Sequence, residues 1–293
     1  MKKIFTIVAL AASLFSFSSC TESAPANDKI GLQLYSVRQQ IGEIGIEATL
    51  AKLSEAGYTY VETASYNNAE GTFYGKTPAE FKALCEANNL EVISSHLGGP
   101  DPNFSSAEEC ESWWKKAIAD HKAAGIKYMV QPSMNHTAYE SIEGLDAYCK
   151  LFDKVGAWCN DEAMGFGYHN HSGEFTTYLP VSETESIRVY DYMLAHTNPA
   201  NVFFEIDIYW IARGDADILK YFAENPGRFT LWHVKDEVEV GASGQIDFPA
   251  IYKQASASGM KYQIIEQEGY SEGADPFESV KVSCDYVKTM LPE

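Results

Sequence analysis

The segment Gly165-Phe166-Gly167-Tyr168-His169-Asn170-His171-Ser172-Gly173-Glu174-Phe175 places two histidines, an amide and a carboxylate within a few residues of one another. It opens as an apolar strand and ends in side chains able to bind a metal. Three later apolar runs also end in such residues: Asp207, His233 and Glu266. Glu174, Asp207, His233 and Glu266 together offer three carboxylates and one imidazole. That is a hard-to-borderline donor set, suited to Mn²⁺, Co²⁺, Mg²⁺ or Zn²⁺ with coordination positions left for substrate oxygens. Brought together without a cation, the three carboxylates would repel, and one would be forced to protonate.

The elements that must position these residues follow one pattern. From Lys29 onward, short apolar runs alternate with amphipathic stretches, the signature of repeated strand–helix units. Strands are predicted over residues 29–35, 58–63, 90–96, 126–131, 165–175, 202–209, 228–235 and 262–266. Helices are predicted over 43–56, 77–88, 106–124, 139–164, 182–197, 215–224, 248–258 and 276–290. Several carry local start signals, such as Thr77-Pro78 with Glu80 at capping-box spacing, and Ser182 with Glu185. Eight strand–helix pairs without a composition break predict a single (β/α)8 barrel over residues 29–293. A doubly wound open sheet would want a glycine-rich turn after its first strand. Tyr35-Ser36-Val37-Arg38-Gln39-Gln40 has none.

In such a barrel the active site lies at the C-terminal ends of the strands. The polar residues expected there are Gln33, Tyr35, Glu62, His96, Gln131, His169, Asn170, His171, Glu174, Glu205, Asp207, His233, Lys235, Glu266 and Glu268. Strand side chains alternate, so Glu205 and Asp207 share a face, as do His233 and Lys235. His96, His171, Gln131 and Lys235 are read as substrate-binding residues. Tyr35 and Trp210 are read as rings that could stack on a sugar.

Residues 1–19 have two lysines, an apolar run and a small-residue ending, and read as an export signal. Cys20 follows like the lipidated cysteine of a bacterial lipoprotein, with 20–28 as a tether. The expected location is therefore periplasmic or anchored to the outer membrane, with membrane contact only through that lipid. The full chain of 293 residues carries a net charge of −19. Removing the two leader lysines leaves 20 basic against 41 acidic side chains, a net charge of −21. Such a surface repels phosphate backbones, so nucleic acid is excluded as a partner. The remaining five cysteines are widely spaced, without a CxxC pair, and read as buried free thiols. A homo-oligomer is left open.

Gln33-Leu34-Tyr35-Ser36-Val37-Arg38, Gly167-Tyr168-His169-Asn170-His171 with Glu174-Phe175, Asp207-Ile208-Tyr209-Trp210 and His233-Val234-Lys235-Asp236 resemble the sugar phosphate isomerase/epimerase family with the xylose isomerase-like barrel. The resemblance implies a divalent metal, often Mn²⁺, held by Glu174, Asp207, His233 and Glu266. It implies that Glu174 and Glu266 are catalytic and move a proton at a carbon beside a carbonyl. Chelation of the carbonyl and its neighbouring oxygen acidifies that C–H, and an enediolate links isomerisation to epimerisation. The chain departs from the ketohexose epimerases of the superfamily. Trp210 stands in the region of their histidine, and Lys235-Asp236-Glu237 where they carry an arginine. With a keto-glycoside as substrate, the same proton abstraction would lead to elimination or hydration by a lyase or hydratase. A metal hydrolase of the endonuclease IV type would need more histidine ligands and a basic groove. A non-catalytic sugar-binding lipoprotein would not need both glutamates. The letters His169-Asn170-His171 match neither the first-strand His-x-His of amidohydrolases nor the fold of HNH nucleases.

Overall fold

The computed structural model describes residues 29–291; the leader, Cys20 and the tether lie outside the described residues. Eight parallel strands close into a barrel: β1 (Gly31–Gln33), β2 (Tyr60–Thr63), β3 (Glu91–His96), β4 (Tyr128–Gln131), β5 (Gly165–His169), β6 (Val202–Asp207), β7 (Leu231–Val234) and β8 (Tyr262–Ile265). Each strand pairs with its sequence neighbours, and β1 closes the ring by pairing with both β2 and β8.

Alternation along the strands divides two cores. Outward residues such as Val61, Phe166, Tyr168, Phe204 and Trp232 pack under the surrounding helices. Inward residues build layers. The floor is apolar: Tyr60, Ile93, Val130, Leu231 and Ile264 are buried together, with Phe203 and Tyr262 against them. Two inward glycines make room for rings. A Cβ at Gly31 would lie 2.2 Å from the Tyr60 ring, and one at Gly167 would lie 2.4 Å from the Phe203 ring. Two residues further along each strand the interior turns polar, with Gln33, Glu62, His169, Glu205 and His233 all buried.

Thr77 and Ser106 cap helices Pro78–Ala87 and Ala107–Ala123 through reciprocal bonds with Glu80 and Glu109. Other boundaries differ from the sequence expectation. The long helix begins at Ile142, capped by Ser141, and a 3₁₀ turn (His136–Tyr139) precedes it. The predicted helix 182–197 is a β-hairpin, Tyr178–Pro180 with Ser186–Arg188, followed by a helix from Val189 to His196. Ser182 does accept the Glu185 N–H, but together with a Thr184 contact it closes the hairpin turn. The sixth strand ends at Asp207, whose side chain caps a helix from Ile208 to Arg213. All five cysteines within the described residues are free and buried.

Helix Ile142–Asp161 packs so closely that a Cβ on Gly156 would sit 2.1 Å from the Asn201 carbonyl oxygen. Gly156→Ala should therefore destabilise the fold by about 1–3 kcal/mol in denaturant titration, as overpacking does. Gly42, helical with nothing within 4 Å of its Cβ position, should do the reverse. Gly42→Ala should gain about 0.5–1 kcal/mol.

Candidate metal centre

The upper interior of the barrel gathers His169, Asp207, His233 and Glu266, with one donor atom from each within 4.8 Å of all the others. Three of the four anticipated ligands are present. The fourth place is held by His169, and Glu174 is elsewhere. The reason lies in strand alternation. Gly167 and His169 point into the barrel, while Tyr168 points out. Glu174 follows in a short helix (Gly173–Thr176) that folds back over the outer side of β5. Its Oε1 accepts from Tyr139 at 2.6 Å and from the Tyr168 hydroxyl, and its Oε2 accepts the His171 N–H at 2.9 Å. Glu174 is thus buried and held by three donors, away from the cluster.

The donors in the cluster are spaced for a cation. His169 Nε2 and His233 Nδ1 lie 3.9 and 4.0 Å from Asp207 Oδ2. His233 Nδ1 lies 3.3 Å from Glu266 Oε2. Bonds of about 2.0–2.2 Å from a shared ion would span such separations. Asp207 Oδ1 is occupied as the helix cap at Trp210 N, 2.8 Å away, but Oδ2 is buried with no hydrogen-bond partner. An unpaired buried carboxylate oxygen is costly, and a divalent ion among these four donors would satisfy it. Burial pushes the Asp207 carboxyl up to about 7, against the opposing pull of Lys235. Burial also holds His169 well below its ordinary range, helped by His233 and His96.

Beneath these donors lies a second layer. Glu62 Oε1 accepts from Gln33 Nε2 at 2.6 Å and pairs with His233 Nε2 at 2.7 Å, while Ser94 donates to its other oxygen. Glu205 Oε2 is 2.6 Å from His96 Nε2 and 3.3 Å from His169 Nδ1. His96 also lies 3.1 Å from Glu62 Oε1. Carboxylates behind ligating imidazoles fix the ring tautomer and orientation. Burial and Glu62 push Glu205 up to about 7. His233 is raised well above its usual range despite burial, because Glu205, Glu62 and Glu266 surround it. His96, expected to touch substrate, has its Nε2 committed within this lower layer.

Lys235 is buried, with Nζ 2.9 Å from Glu266 Oε2, bonded to Glu268 and 4.9 Å above the Trp210 ring. Trp210 also faces His171, ring centroids 5.6 Å apart, and His171 lies 5.0 Å from His169. Gln131 bonds Ser133 O through its amide nitrogen and leaves Oε1 unpaired; Trp210 Nε1 is unpaired as well. Tyr35 is exposed at the end of β1, under the Arg38 guanidinium. The sequence listed His169, Glu62 and Glu205 as polar strand-end residues but gave no signal for Tyr139 and Tyr168, which hold Glu174.

The profile of the xylose isomerase-like TIM barrel family matches residues 50–290. The chain belongs to that family. Among solved structures, a sugar phosphate isomerase/epimerase from Parabacteroides distasonis is 30% identical to it. That match covers 94% of this chain and 99% of the other, with a TM-score of 0.84. A second structure of the same description and organism is 33% identical, covering 88% and 97% of the two chains with a TM-score of 0.78. A 3-keto-D-glucoside 4-epimerase from E. coli shares the fold at 16% identity, covering 89% and 99%, with a TM-score of 0.66. A search of curated protein sequences gave no match.

Two outcomes follow from the cluster. Calorimetric titration of the metal-free protein with Mn²⁺ or Zn²⁺ should show one site. His169→Ala and Asp207→Asn should weaken it by about 100-fold or more, as loss of a ligand exceeds the 10–100-fold of an outer partner. Glu174→Gln should bind like wild type. Asp207 and Glu205 bind protons in the folded state at pH values where the unfolded chain has lost them, so their contribution to metal-free stability falls as pH rises from about 4 to 7, opposed by the buried neutral His169 and His121. Asp207→Asn should flatten that slope, and metal affinity should rise through the same window as the ligands shed protons.

Proposed function

We propose that the protein is a divalent-metal-dependent carbohydrate isomerase or epimerase that moves a proton at a carbon beside a carbonyl. The observation that carries this reading is the convergence of His169, Asp207, His233 and Glu266 beneath the barrel mouth, with Glu266 the least enclosed of the four. The description of the two structures at 30% and 33% identity supports it. A bound divalent ion would supply polarisation of the substrate carbonyl and the neighbouring oxygen. Glu266 takes the proton on one side of the reacting carbon, and Lys235 fixes the carboxylate that does so. The opposite face of the substrate meets the β5 loop, where the His171 ring stands 5.0 Å from the His169 ring. There His171 is the group in reach, in place of the expected Glu174. Glu174 acts on it indirectly, by holding the His171 backbone and Tyr139. Gln131 Oε1 accepts from a substrate hydroxyl, Trp210 Nε1 donates to one, and the Trp210 ring walls the sugar.

A second reading has its own support. The β5 donor is an imidazole, and Glu174 lies outside the cluster, so only one carboxylate flanks the reacting carbon. One base is enough for elimination from an oxidised glycoside. The leader sequence supports export with lipidation at Cys20, which radiolabelled palmitate incorporation and its loss in Cys20→Ala would test.

Metal-loaded protein incubated in D₂O with a panel of keto-sugars should introduce deuterium at one carbon beside the carbonyl. Glu266→Gln should reduce that exchange by about 100-fold or more, the usual scale of general acid–base catalysis. Exchange with a new epimer or aldose–ketose pair fits the first reading; release of an aglycone fits the second. Undiminished exchange in Glu266→Gln would sink both.

A further inference from the structure

We propose that the mouth takes an uncharged glycoside and rejects sugar phosphates, with Phe104 and His136 as a platform for a second ring. This deepens the carbohydrate reading above and rests on it. The argument begins with where a phosphate would bind. In (β/α)8 barrels it sits among the loops after the seventh and eighth strands and on a nearby helix N-terminus, held by backbone N–H groups and basic side chains. Here those loops span residues 235–247 and 266–275. They carry Asp236, Glu237, Glu239, Asp247, Glu266, Glu268, Glu272 and Asp275 against a single cation, Lys235. The Lys235 ammonium is already shared between Glu266 and Glu268.

Several N–H donors in and beside these loops are also taken by the chain's own acids. Asp236 Oδ2 accepts from Gly241 N at 3.0 Å and Ser243 N at 3.3 Å. Glu239 accepts from Ser271 N at 3.1 Å and from the Ser271 and Ser279 hydroxyls. Asp275 caps helix Pro276–Lys288 at Phe277 N and Glu278 N, 2.9 and 3.1 Å away. The Asp236 and Glu239 side chains are buried. Internal carboxylates therefore fill the positions that a phosphate monoester would need. An incoming dianion would meet like charge there, and an uncharged hydroxyl group would not.

The other side of the mouth has the opposite character. The loops after β3 and β4 contain no lysine or arginine. They present the Phe104 ring, 71% exposed, beside the exposed His136 ring, with centroids 6.5 Å apart and planes tilted by 34°. These rings are held in place. Asp101 O accepts from Phe104 N and Ser105 N. The Asn103 amide ties this loop to Thr137 Oγ1 at 3.1 Å and Gly144 O at 3.2 Å. Asn135 Oδ1 fixes His136 through Nδ1 at 2.6 Å. The 3₁₀ turn that carries His136 also carries Tyr139, the partner of Glu174. A pair of fixed, exposed rings on the loops after β3 and β4 suits the C–H face of a sugar.

The test compares three substrates on metal-loaded protein: a free ketohexose, its phosphate monoester, and a disaccharide with one oxidised ring. Deuterium exchange from D₂O gives kcat/KM for each. The phosphate ester should be at least ~100-fold poorer than the free sugar, the scale of an uncompensated like-charge contact. Phe104→Ala should raise KM for the disaccharide by about 5- to 10-fold with kcat retained, lowering the preference for two rings. A phosphate ester that equals or exceeds the free sugar would overturn the inference while the isomerase reading stands. An unchanged preference in Phe104→Ala would overturn the platform. Exchange with none of the three, by protein shown to hold the cation, would overturn the functional reading and this inference with it.

Discussion

The structure depends on one electrostatic constraint: several ionisable side chains are stacked inside a barrel from which water is excluded. Glu62, Glu205, Asp207 and Glu266 share the interior with His96, His169, His233 and Lys235. Burial of charge at this density is tolerable only when each charge finds a partner. The lower layer meets the requirement only in part, because Glu205 Oε1 is buried without a hydrogen-bond partner. Glu62 is held below its usual range, since His96 and His233 outweigh the effect of its burial. In the upper layer Asp207 Oδ2 has no hydrogen-bond partner, with Lys235 Nζ 3.9 Å away. A cation at that point would complete the arrangement.

The floor makes this stack possible. Residues on one face of a strand recur every second position, so an apolar ring at Tyr60, Leu231 and Ile264 leads directly to Glu62, His233 and Glu266. The inward glycines at 31 and 167 let the Tyr60 and Phe203 rings fill the base. Rigid strands thereby fix where each polar side chain begins, and the hydrogen bonds between layers fix where it ends.

The sequence made the strand count legible because each barrel strand is a short apolar run between turn signals. It made Asp207, His233 and Glu266 legible because the period of two places them at strand ends, facing inward. Glu174 failed the same reasoning once β5 had ended. Its position depends on a short helix after the strand, which no period of two describes, on the outward-facing Tyr168, and on Tyr139, 35 residues earlier. His169 was visible as a strand-end residue, but its direction had to be read from Gly167 and Phe166, not from its neighbours Asn170 and His171. The hairpin at 178–188 was hidden for a related reason. A serine oxygen three residues before a glutamate N–H closes a turn as readily as it starts a helix, and only the pairing of Tyr178 with Arg188 distinguishes the two.

The exchange of a carboxylate for an imidazole at β5 has consequences beyond its geometry. A set of two carboxylates and two imidazoles carries one negative charge fewer than the anticipated set and is softer, which moves its preference from Mg²⁺ toward Mn²⁺, Co²⁺ or Zn²⁺. In the proposed reaction it would also remove a base from one face of the reacting carbon, because His169 lies in the cluster and against Glu205. Proton return on that face would then have to come from a residue outside the donor set. Glu174 accepts the His171 N–H, so the carboxylate outside the cluster would act there through His171.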